Sequence, residues 1–303
     1  MTPTTETPRT WTPDYKCCWC GSHFVQRTVD SVLAWVCPTE ACYLRQVARK
    51  MLDLDDRLMY LPMPRLVELR EAIDRQQYGA ICLGGDRSGG KSIGIRHLVY
   101  HYARTIENFT VLLLRRNFPE LDLNHMRFMA READRMGAIY SEQKKTIKFP
   151  ETGALLKCGH CHTRKDFEQY IGGDVDMIVF GQLEEFTRQQ FVEISASTGR
   201  IRRPNWRGLV LAEENPGGPL SAFVEELFVK KNPDPKEYPQ YNPDDHFFIA
   251  SQLDDNPYTS PEYVNRLANL SHARREMFRY GRRDIFEGQF FGEFSAATHV
   301  LPA

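Results

Sequence analysis

The segment from Gly85 to Ser92 constrains the fold of this chain more than any other feature of its sequence. It reads GDRSGGKS, which fits the G-x4-G-K-[ST] pattern of a phosphate-binding loop (P-loop). A short apolar run, YGAICL, precedes the loop, and a helical pattern, SIGIRHLVYHYART, follows it. In this context the backbone N–H groups of the loop and the N-terminus of the helix point at the phosphates of a nucleotide. We therefore expect a nucleotide site here.

The individual loop residues have distinct expected roles. Lys91 is expected to neutralise the β- and γ-phosphates, and the Ser92 hydroxyl to bind Mg²⁺, so the predicted ligand is a nucleotide with Mg²⁺. The other predicted nucleotide contacts are Gly85, Asp86, Arg87, Ser88, Gly89 and Gly90. The alternative is a glycine-rich turn in which Lys-Ser occurs by chance, but the strand before it and the helix after it argue against this.

Further apolar runs of strand length are distributed along the chain. With the run before the P-loop, the predicted strands cover residues 78–83, 109–114, 146–149, 154–156, 177–180 and 209–211. Polar helical stretches separate most of them, and a helical pattern at 47–77 is broken by Pro62 and Pro64. This alternation indicates an α/β fold with a mostly parallel, doubly wound sheet.

Composition limits the classes of function. With 303 residues, 42% of them hydrophobic, the chain can bury one substantial core and carry a small appendage. Its 39 Lys and Arg residues balance 40 Asp and Glu residues, so contact with nucleic acid requires a local basic patch. No apolar run reaches the roughly 18 residues of a membrane span, and the N-terminus lacks the pattern of a secretory signal. We expect a soluble protein that contacts no membrane.

Five blocks of sequence resemble the ATPase half of tailed-phage terminase large subunits. The first is GGDRSGGKS, in which Arg87 lies four residues before Lys91, as in the terminase form of the loop. The others are VLLLRRNFPEL (111–121), YIGGDVDMIVFGQLEEFT (170–187), LAEENPGG (211–218) and EGQFFGEFSAATHVLP (287–302). They stand in family order, and their joint occurrence is more specific than any one of them.

The resemblance implies an ASCE-type P-loop ATPase that uses ATP with Mg²⁺ to move double-stranded DNA into a viral procapsid. It also implies a ring of identical subunits in the host cytoplasm, with the portal protein and the terminase small subunit as partners. The expected organisation is a disordered tail (1–15), a zinc-ribbon-like module (16–46), the ATPase domain (47–285) and a linker toward an absent nuclease domain (286–303). Two alternatives stay open: another P-loop helicase or translocase, and a nucleotide-gated DNA-binding scaffold with weak or no hydrolysis.

The Walker B region departs from the family pattern. Gly181 and Gln182 occupy the positions of the magnesium-binding Asp and the water-activating Glu, and neither can do that chemistry. If a helical turn begins after the strand at 177–180, Glu185 projects from the same face as Gln182, whereas Glu184 is turned away. We therefore predict Glu185 as the water-activating carboxylate, with Glu184 as second candidate and Gln182 positioning water or phosphate. The alternative is that both glutamates are ordinary helix-start acids in a weak ATPase.

Other residues are candidates to complete the site. Asn215, at the end of the strand at 209–211, is the expected γ-phosphate sensor. A neighbouring subunit usually supplies an arginine to a ring motor. The candidates are Arg202, Arg200 and Arg116, and also Arg203 and Arg115. Arg65 stands where terminases often carry an adenine-reading glutamine, which puts selectivity for adenine in question.

Cysteines cluster near the N-terminus. Cys17 and Cys20, followed by Cys37 and Cys42, form two pairs separated by sixteen residues, which is close to a zinc-ribbon layout. Four thiolates would satisfy a structural Zn²⁺, and SVLAWV between the pairs suits a small hairpin. Cys18 could replace Cys17, and unligated cysteines in a reducing cell are the alternative. The motif CGHCH at 158–162 has ligand-like spacing but no second pair nearby.

Overall fold

The structure is a computed structural model that describes residues 22, 25–29, 32–36, 38–39, 64–200, 202–256, 259–283 and 285. Its strands are β1 (Val25–Val29), β2 (Val32–Val36), β3 (Ala80–Gly85), β4 (Thr110–Arg115), β5 (Ile139–Ser141), β6 (Thr146–Lys148), β7 (Leu155–His160), β8 (Met177–Phe180), β9 (Leu209–Glu214) and β10 (His246–Ser251). Strands β1 and β2 form an antiparallel hairpin, and the others form one sheet.

Helices connect most of the strands of the large sheet. The α-helices are α1 (Pro64–Asp74), α2 (Lys91–Thr105), α3 (Phe118–Leu121), α4 (Arg127–Glu132), α5 (Arg164–Glu168), α6 (Arg188–Ser195), α7 (Ser221–Val224), α8 (Pro261–Ala268) and α9 (His272–Tyr280). Asp122–Met126 and Glu225–Val229 are π-helical, and Leu183–Glu185, Pro243–Asp245 and Leu253–Asp255 are short 3-10 helices.

The large sheet has the strand order β10-β3-β9-β8-β4-β7-β6-β5. All pairs from β10 to β7 are parallel, and β7, β6 and β5 pair antiparallel at one edge. The carboxyl ends of β3, β9, β8 and β4 therefore lie side by side. Ligands of open α/β sheets bind at this edge, so we expect the functional site there.

Side chains from the two faces of the sheet form two separate cores. Successive residues of a strand point to opposite faces, so Leu83 and Leu113 join the core beneath α1 and α2. Leu112 and Phe180 join a second core with residues of α6 and α7. A sheet buried on both faces accounts for the continuous apolar runs of its central strands.

The predicted α/β class with a mostly parallel sheet is confirmed, with differences in detail. The strand predicted at 177–180 matches β8, and the other five predicted strands overlap β3, β4, β6, β7 and β9. Strand β3 extends to Gly85 because its backbone continues to pair with β10. Strands β5 and β10 were not predicted.

The N-terminal predictions are covered only in part. A hairpin lies between the two cysteine pairs, as expected. Cys17, Cys20, Cys37 and Cys42 lie outside the described residues, so the zinc module stays a prediction. Within the described ranges no group of three or more His, Cys, Asp or Glu side chains could hold a metal ion. Among those same residues, the helices are too short or too polar to cross a membrane.

Candidate functional site

The P-loop connects β3 to α2 at the carboxyl edge of the sheet. Gly85 has φ +130°, and a Cβ placed there would lie 2.3 Å from the Ser251 carbonyl oxygen, so only glycine fits. Gly90 has φ 75° and precedes Lys91, the first residue of α2. The loop lines a cleft of about 480 Å³ together with Arg115, Gln182, Glu213 and Asn215. The loop therefore lies between a strand and a helix, as expected, and its contacts with a nucleotide stay a prediction.

Lys91 lies inside the curve of the loop. Its Nζ donates hydrogen bonds to the carbonyl oxygens of Gly85, at 3.3 Å, and Asp86. Burial lowers the pKa of Lys91. The acidic side chains around it oppose this shift, and Glu213 has the largest opposing effect. Asp86 accepts a hydrogen bond from the Leu253 backbone N–H at 3.0 Å, and burial raises its pKa to about 6. Asp86 therefore ties the loop to the segment after β10.

Three further contacts hold the loop from outside. The Arg87 guanidinium stacks 3.6 Å from the ring centroid of Phe278 in α9, and the Arg87 backbone N–H donates to the Phe278 carbonyl. The Asn256 amide donates to the Ser88 carbonyl at 2.6 Å. Arg87 therefore packs on an aromatic ring by a cation–π contact in this structure.

A buried carboxylate joins the start of α2 to the end of β9. The Ser92 hydroxyl donates to Glu213, with distances of 2.7 and 3.0 Å to the two carboxylate oxygens. Arg115, at the end of β4, donates to Glu213 Oε1 at 2.6 Å and lies 3.4 Å from Ser92 Oγ. Glu213 and Arg115 are each only 2% exposed. Ser92, Glu213 and Arg115 thus form one hydrogen-bonded cluster.

The Walker B positions lie beside this cluster. Gly181 directly follows β8, and its N–H donates to the Leu114 carbonyl at 2.8 Å. Gln182 has a left-handed backbone (φ 56°), and its side-chain oxygen accepts a hydrogen bond from Arg115. Arg115 also donates through Nε to His125 at 3.2 Å. Burial and the charge of Arg115 hold the pKa of His125 well below its usual value, so this imidazole is neutral.

Glu184 and Asn215 contact each other in the structure. The Asn215 amide donates to Glu184 Oε1 at 3.2 Å, and the Leu220 N–H donates to the Glu184 carbonyl at 2.9 Å. Burial, and secondarily the charge of Glu214, raises the pKa of Glu184 to about 8. Its second carboxylate oxygen is buried without a hydrogen-bond partner. The segment after β9 is thus packed directly against the segment after β8.

Glu185 occupies a different environment. Burial, and secondarily the interaction with the Glu120 carboxyl group of α3, raises the pKa of Glu185 to about 7. The turn here is a 3-10 helix that starts at Leu183, after the left-handed Gln182. The helical turn that was expected to start after Phe180 is therefore absent. Helix periodicity consequently does not place Glu185 and Gln182 on the same face. Its catalytic role stays a prediction.

Four of the five candidate arginines lie apart from the cleft, whereas Arg115 lines it. Arg116 donates to the carbonyl oxygens of Cys161 and, at 2.8 Å, His162. Arg200 donates to the carbonyl oxygens of a glycine pair, with 3.3 Å to the second, Gly173. Arg202 is exposed and lines a cavity with Trp206, near the amino ends of the strands. Arg203, the fourth of these arginines, forms an ion pair with Asp176. A contribution of any of them to a neighbouring subunit stays a prediction.

Two weaker sequence signals have structural explanations. Arg65 pairs with Glu68 at 3.0 Å and with Asp255 at 3.2 Å, so its guanidinium is engaged in ion pairs. Cys158 and Cys161 are both buried, and burial raises the pKa of each thiol to about 12. Both thiols are therefore protonated at neutral pH, and the described residues include no group of three or more His, Cys, Asp or Glu side chains that could hold a metal ion there.

Sequence reasoning missed two acidic residues of this edge. Glu213 contacts Ser92, and Glu214, which is fully buried, accepts a hydrogen bond of 2.9 Å from Arg283. A signal was present in the acidic pair that ends the apolar run LVLAEE. Acidic residues at the carboxyl end of a buried strand are unfavourable without a partner, and this indicates a site.

Comparison with solved structures identifies the fold. The large terminase of the thermophilic bacteriophage D6E matches with a TM-score of 0.58 and 15% identity, over 73% of this chain and 53% of that one. The same terminase has been solved with ADP and with ATP-γ-S. The ATPase domain of the Thermus phage P74-26 large terminase matches with a TM-score of 0.53 and 11% identity, over 75% of this chain and 96% of that one.

A third structure extends this similarity. The HK97 bacteriophage large terminase matches with a TM-score of 0.51 and 10% identity, over 68% of this chain and 46% of that one. The chain spans about half the length of the D6E terminase. Comparison of the sequence with protein-family profiles and with curated proteins gives no match. The described part of the chain therefore has the fold of the ATPase domains of phage large terminases.

Proposed function

We propose that the chain is the ATP-hydrolysing motor of viral DNA packaging, which moves double-stranded DNA into a procapsid. The observation that carries this proposal is the P-loop cleft at the carboxyl edge of a terminase-type sheet, with Lys91, Ser92 and Asn215 at one site. On this proposal the motor works as a ring of identical subunits in the host cytoplasm. Its partners are DNA, the portal protein and the terminase small subunit.

The nucleotide is bound mainly by the P-loop. Backbone N–H groups from Gly89 to Ser92 surround the phosphates, and Lys91 exchanges its contacts with loop carbonyls for the β- and γ-phosphates. Mg²⁺, when bound, neutralises charge between these phosphates. The Ser92 hydroxyl fits this ion, because it is an oxygen ligand next to a carboxylate.

For the water-activating group we propose Glu184 ahead of Glu185. Glu184 is buried and hydrogen-bonded to Asn215, the expected γ-phosphate sensor, whereas the acidic neighbour of Glu185 is Glu120. A general base works best when its pKa is near the working pH, and the pKa of Glu184 is about 8. On this proposal Asn215 and Glu184 respond together to the γ-phosphate.

The proposal has a direct test in a packaging assay. Lys91→Ala removes the phosphate contact, so both phosphate release and uptake of DNA into procapsids should fall by at least about a hundredfold. Lys165→Ala, at an exposed position of α5, is the control and should behave as wild type. Undiminished phosphate release by Lys91→Ala would remove the proposal.

The same assays separate the alternatives. A helicase would separate DNA strands without procapsids, and its strand separation would not depend on the portal protein. A nucleotide-gated scaffold would bind ATP and DNA but release no phosphate. Since Gly181 and Gln182 lack the family's carboxylates, nucleotide affinity and phosphate release have to be measured on the same preparation.

A further inference from the structure

The ends of three neighbouring strands place Arg115, Gly181 and Glu213 in one row. Leu114 pairs with Phe180, and Phe180 pairs with Ala212, so the next residue of each strand continues the same row across β4, β8 and β9. Gly181 stands in the middle, at the position where the family carries the magnesium-binding Asp. The centre of the row therefore has no side chain. The carboxylate of the row is Glu213 on β9, the strand next to the P-loop strand β3.

The Arg115 side chain crosses the space above Gly181. A Cβ built at Gly181 would lie 2.6 Å from Arg115 Nε and 2.9 Å from its Cδ. An aspartate at 181 is therefore incompatible with the present position of Arg115. Across this space the guanidinium reaches Glu213 at 2.6 Å. Arg115 can form this ion pair with Glu213 in its present position because residue 181 has no side chain.

We propose that Glu213 replaces the Walker B aspartate and, with Ser92, holds the shell of the nucleotide's Mg²⁺. This inference rests on the proposed function, because it assigns the metal carboxylate of that same site. The Glu213 carboxylate directly accepts the hydrogen bond of Ser92, the residue that a P-loop uses to bind Mg²⁺. Carboxylate and hydroxyl oxygens are ligands that suit this hard cation.

Charge and burial support Glu213 over its neighbours. A buried carboxylate needs a positive partner, and Arg115 supplies one through Glu213 Oε1, while the shorter hydrogen bond of Ser92 goes to Oε2. Glu214, the adjacent acid, points to the opposite face of the sheet and is neutralised by Arg283. Glu184 contacts Asn215 rather than Ser92. Among these three acids, Glu213 alone has a hydrogen bond to Ser92 in the structure.

The test measures how much Mg²⁺ strengthens nucleotide binding, and it needs no turnover. A fluorescent ADP analogue is titrated into the full chain with Mg²⁺ and with EDTA, and the ratio of the two Kd values is compared between variants. In Glu213→Gln we expect the strengthening by Mg²⁺ to fall by about tenfold or more, while affinity in EDTA does not fall. Electron paramagnetic resonance with Mn²⁺ and ADP should show the same loss in metal affinity.

Matched variants make the result specific. Asp176→Asn also neutralises an arginine-paired carboxylate, but at the amino end of β8, and should keep the wild-type ratio. If circular dichroism shows that Glu213→Gln is unfolded, the double variant Arg115→Met/Glu213→Gln neutralises both partners of the pair and should show the same loss.

The possible outcomes separate this inference from the proposed function. A folded Glu213→Gln chain, or the folded double variant, that keeps the wild-type ratio would overturn the assignment of Glu213 while leaving the ATPase proposal in place. A wild-type chain that binds the ADP analogue neither with Mg²⁺ nor with EDTA would overturn both. If Glu213→Gln loses the strengthening by Mg²⁺ but keeps its affinity for the ADP analogue in EDTA, the result supports both the assignment of Glu213 and the proposed function.

Discussion

The Asn215 side-chain amide donates a 3.2 Å hydrogen bond to Glu184, joining the segment after β9 to the turn after β8. The two segments also meet at Gly218, where an added Cβ would lie 2.5 Å from Glu184 Cγ. A movement of either segment therefore displaces the other. In the proposed motor, this contact would transmit binding of the γ-phosphate from the cleft to the segment that begins Asn-Pro-Gly-Gly.

Glu184 should control the pH dependence of hydrolysis. Burial raises its pKa to about 8, and only its ionised form can accept a proton from water. The rate should therefore rise as the pH increases and level off above about pH 9, and Glu184→Gln should lose at least about a hundredfold. A midpoint near 7 that disappears in Glu185→Gln would instead assign the role to Glu185.

Asn215→Asp should shift that profile to higher pH. The new carboxylate would lie beside Glu184, and a like charge at this distance disfavours ionisation, so the pKa of Glu184 rises further. Asn215→Ala should lower kcat without such a shift. Profiles of the three chains, measured by phosphate release at saturating ATP, check this; an unchanged midpoint in Asn215→Asp would contradict it.

Glu184 should also affect the pH dependence of stability. Its pKa is about 8 in the folded chain, against an ordinary value of 4.5, so the folded chain retains a proton that the unfolded chain has lost. The free energy of unfolding should consequently fall as pH rises from about 5 to 8. Glu184→Gln removes this contribution, so urea unfolding should show a smaller fall between these two pH values than in wild type.

Gly181→Ala should destabilise the chain by about 1 to 3 kcal/mol, because its methyl group would overlap the Arg115 side chain. The control is Gly173→Ala, where the nearest atom to an added Cβ is 3.7 Å away, an ordinary contact. Urea denaturation of both variants measures the difference. Equal stability of the two would show that Arg115 moves aside without cost.

Local patterns in the sequence predicted most of the fold. Strand β3, the P-loop and α2 were predicted because the strand, the glycine spacing and the helix each have a signal in the chain itself. Strand β10 was missed because it lies at the edge of the described part of the sheet, paired with β3, and three of its six residues are half-buried. Strand β5 has three residues and an exposed start, too short for an alternating pattern.

The site was less predictable than the fold. The contact between Ser92 and Glu213 depends on β9 lying next to β3, which is a property of strand order and not of spacing along the chain. The orientation of Glu184 and Glu185 depends on the left-handed backbone of Gln182, which moves the start of the turn. Glutamine has no particular preference for that conformation, so its sequence gives no signal for it.

The central claim is that backbone amides around Lys91 bind a nucleoside triphosphate at the carboxyl edge of the sheet. Isothermal titration calorimetry with ATP-γ-S and Mg²⁺ tests it most directly, because it requires neither hydrolysis nor DNA. We predict one site per wild-type chain and an affinity at least about a hundredfold lower in a folded Lys91→Ala variant. A wild-type chain that does not bind, or a Lys91→Ala chain that binds equally well, would contradict the account.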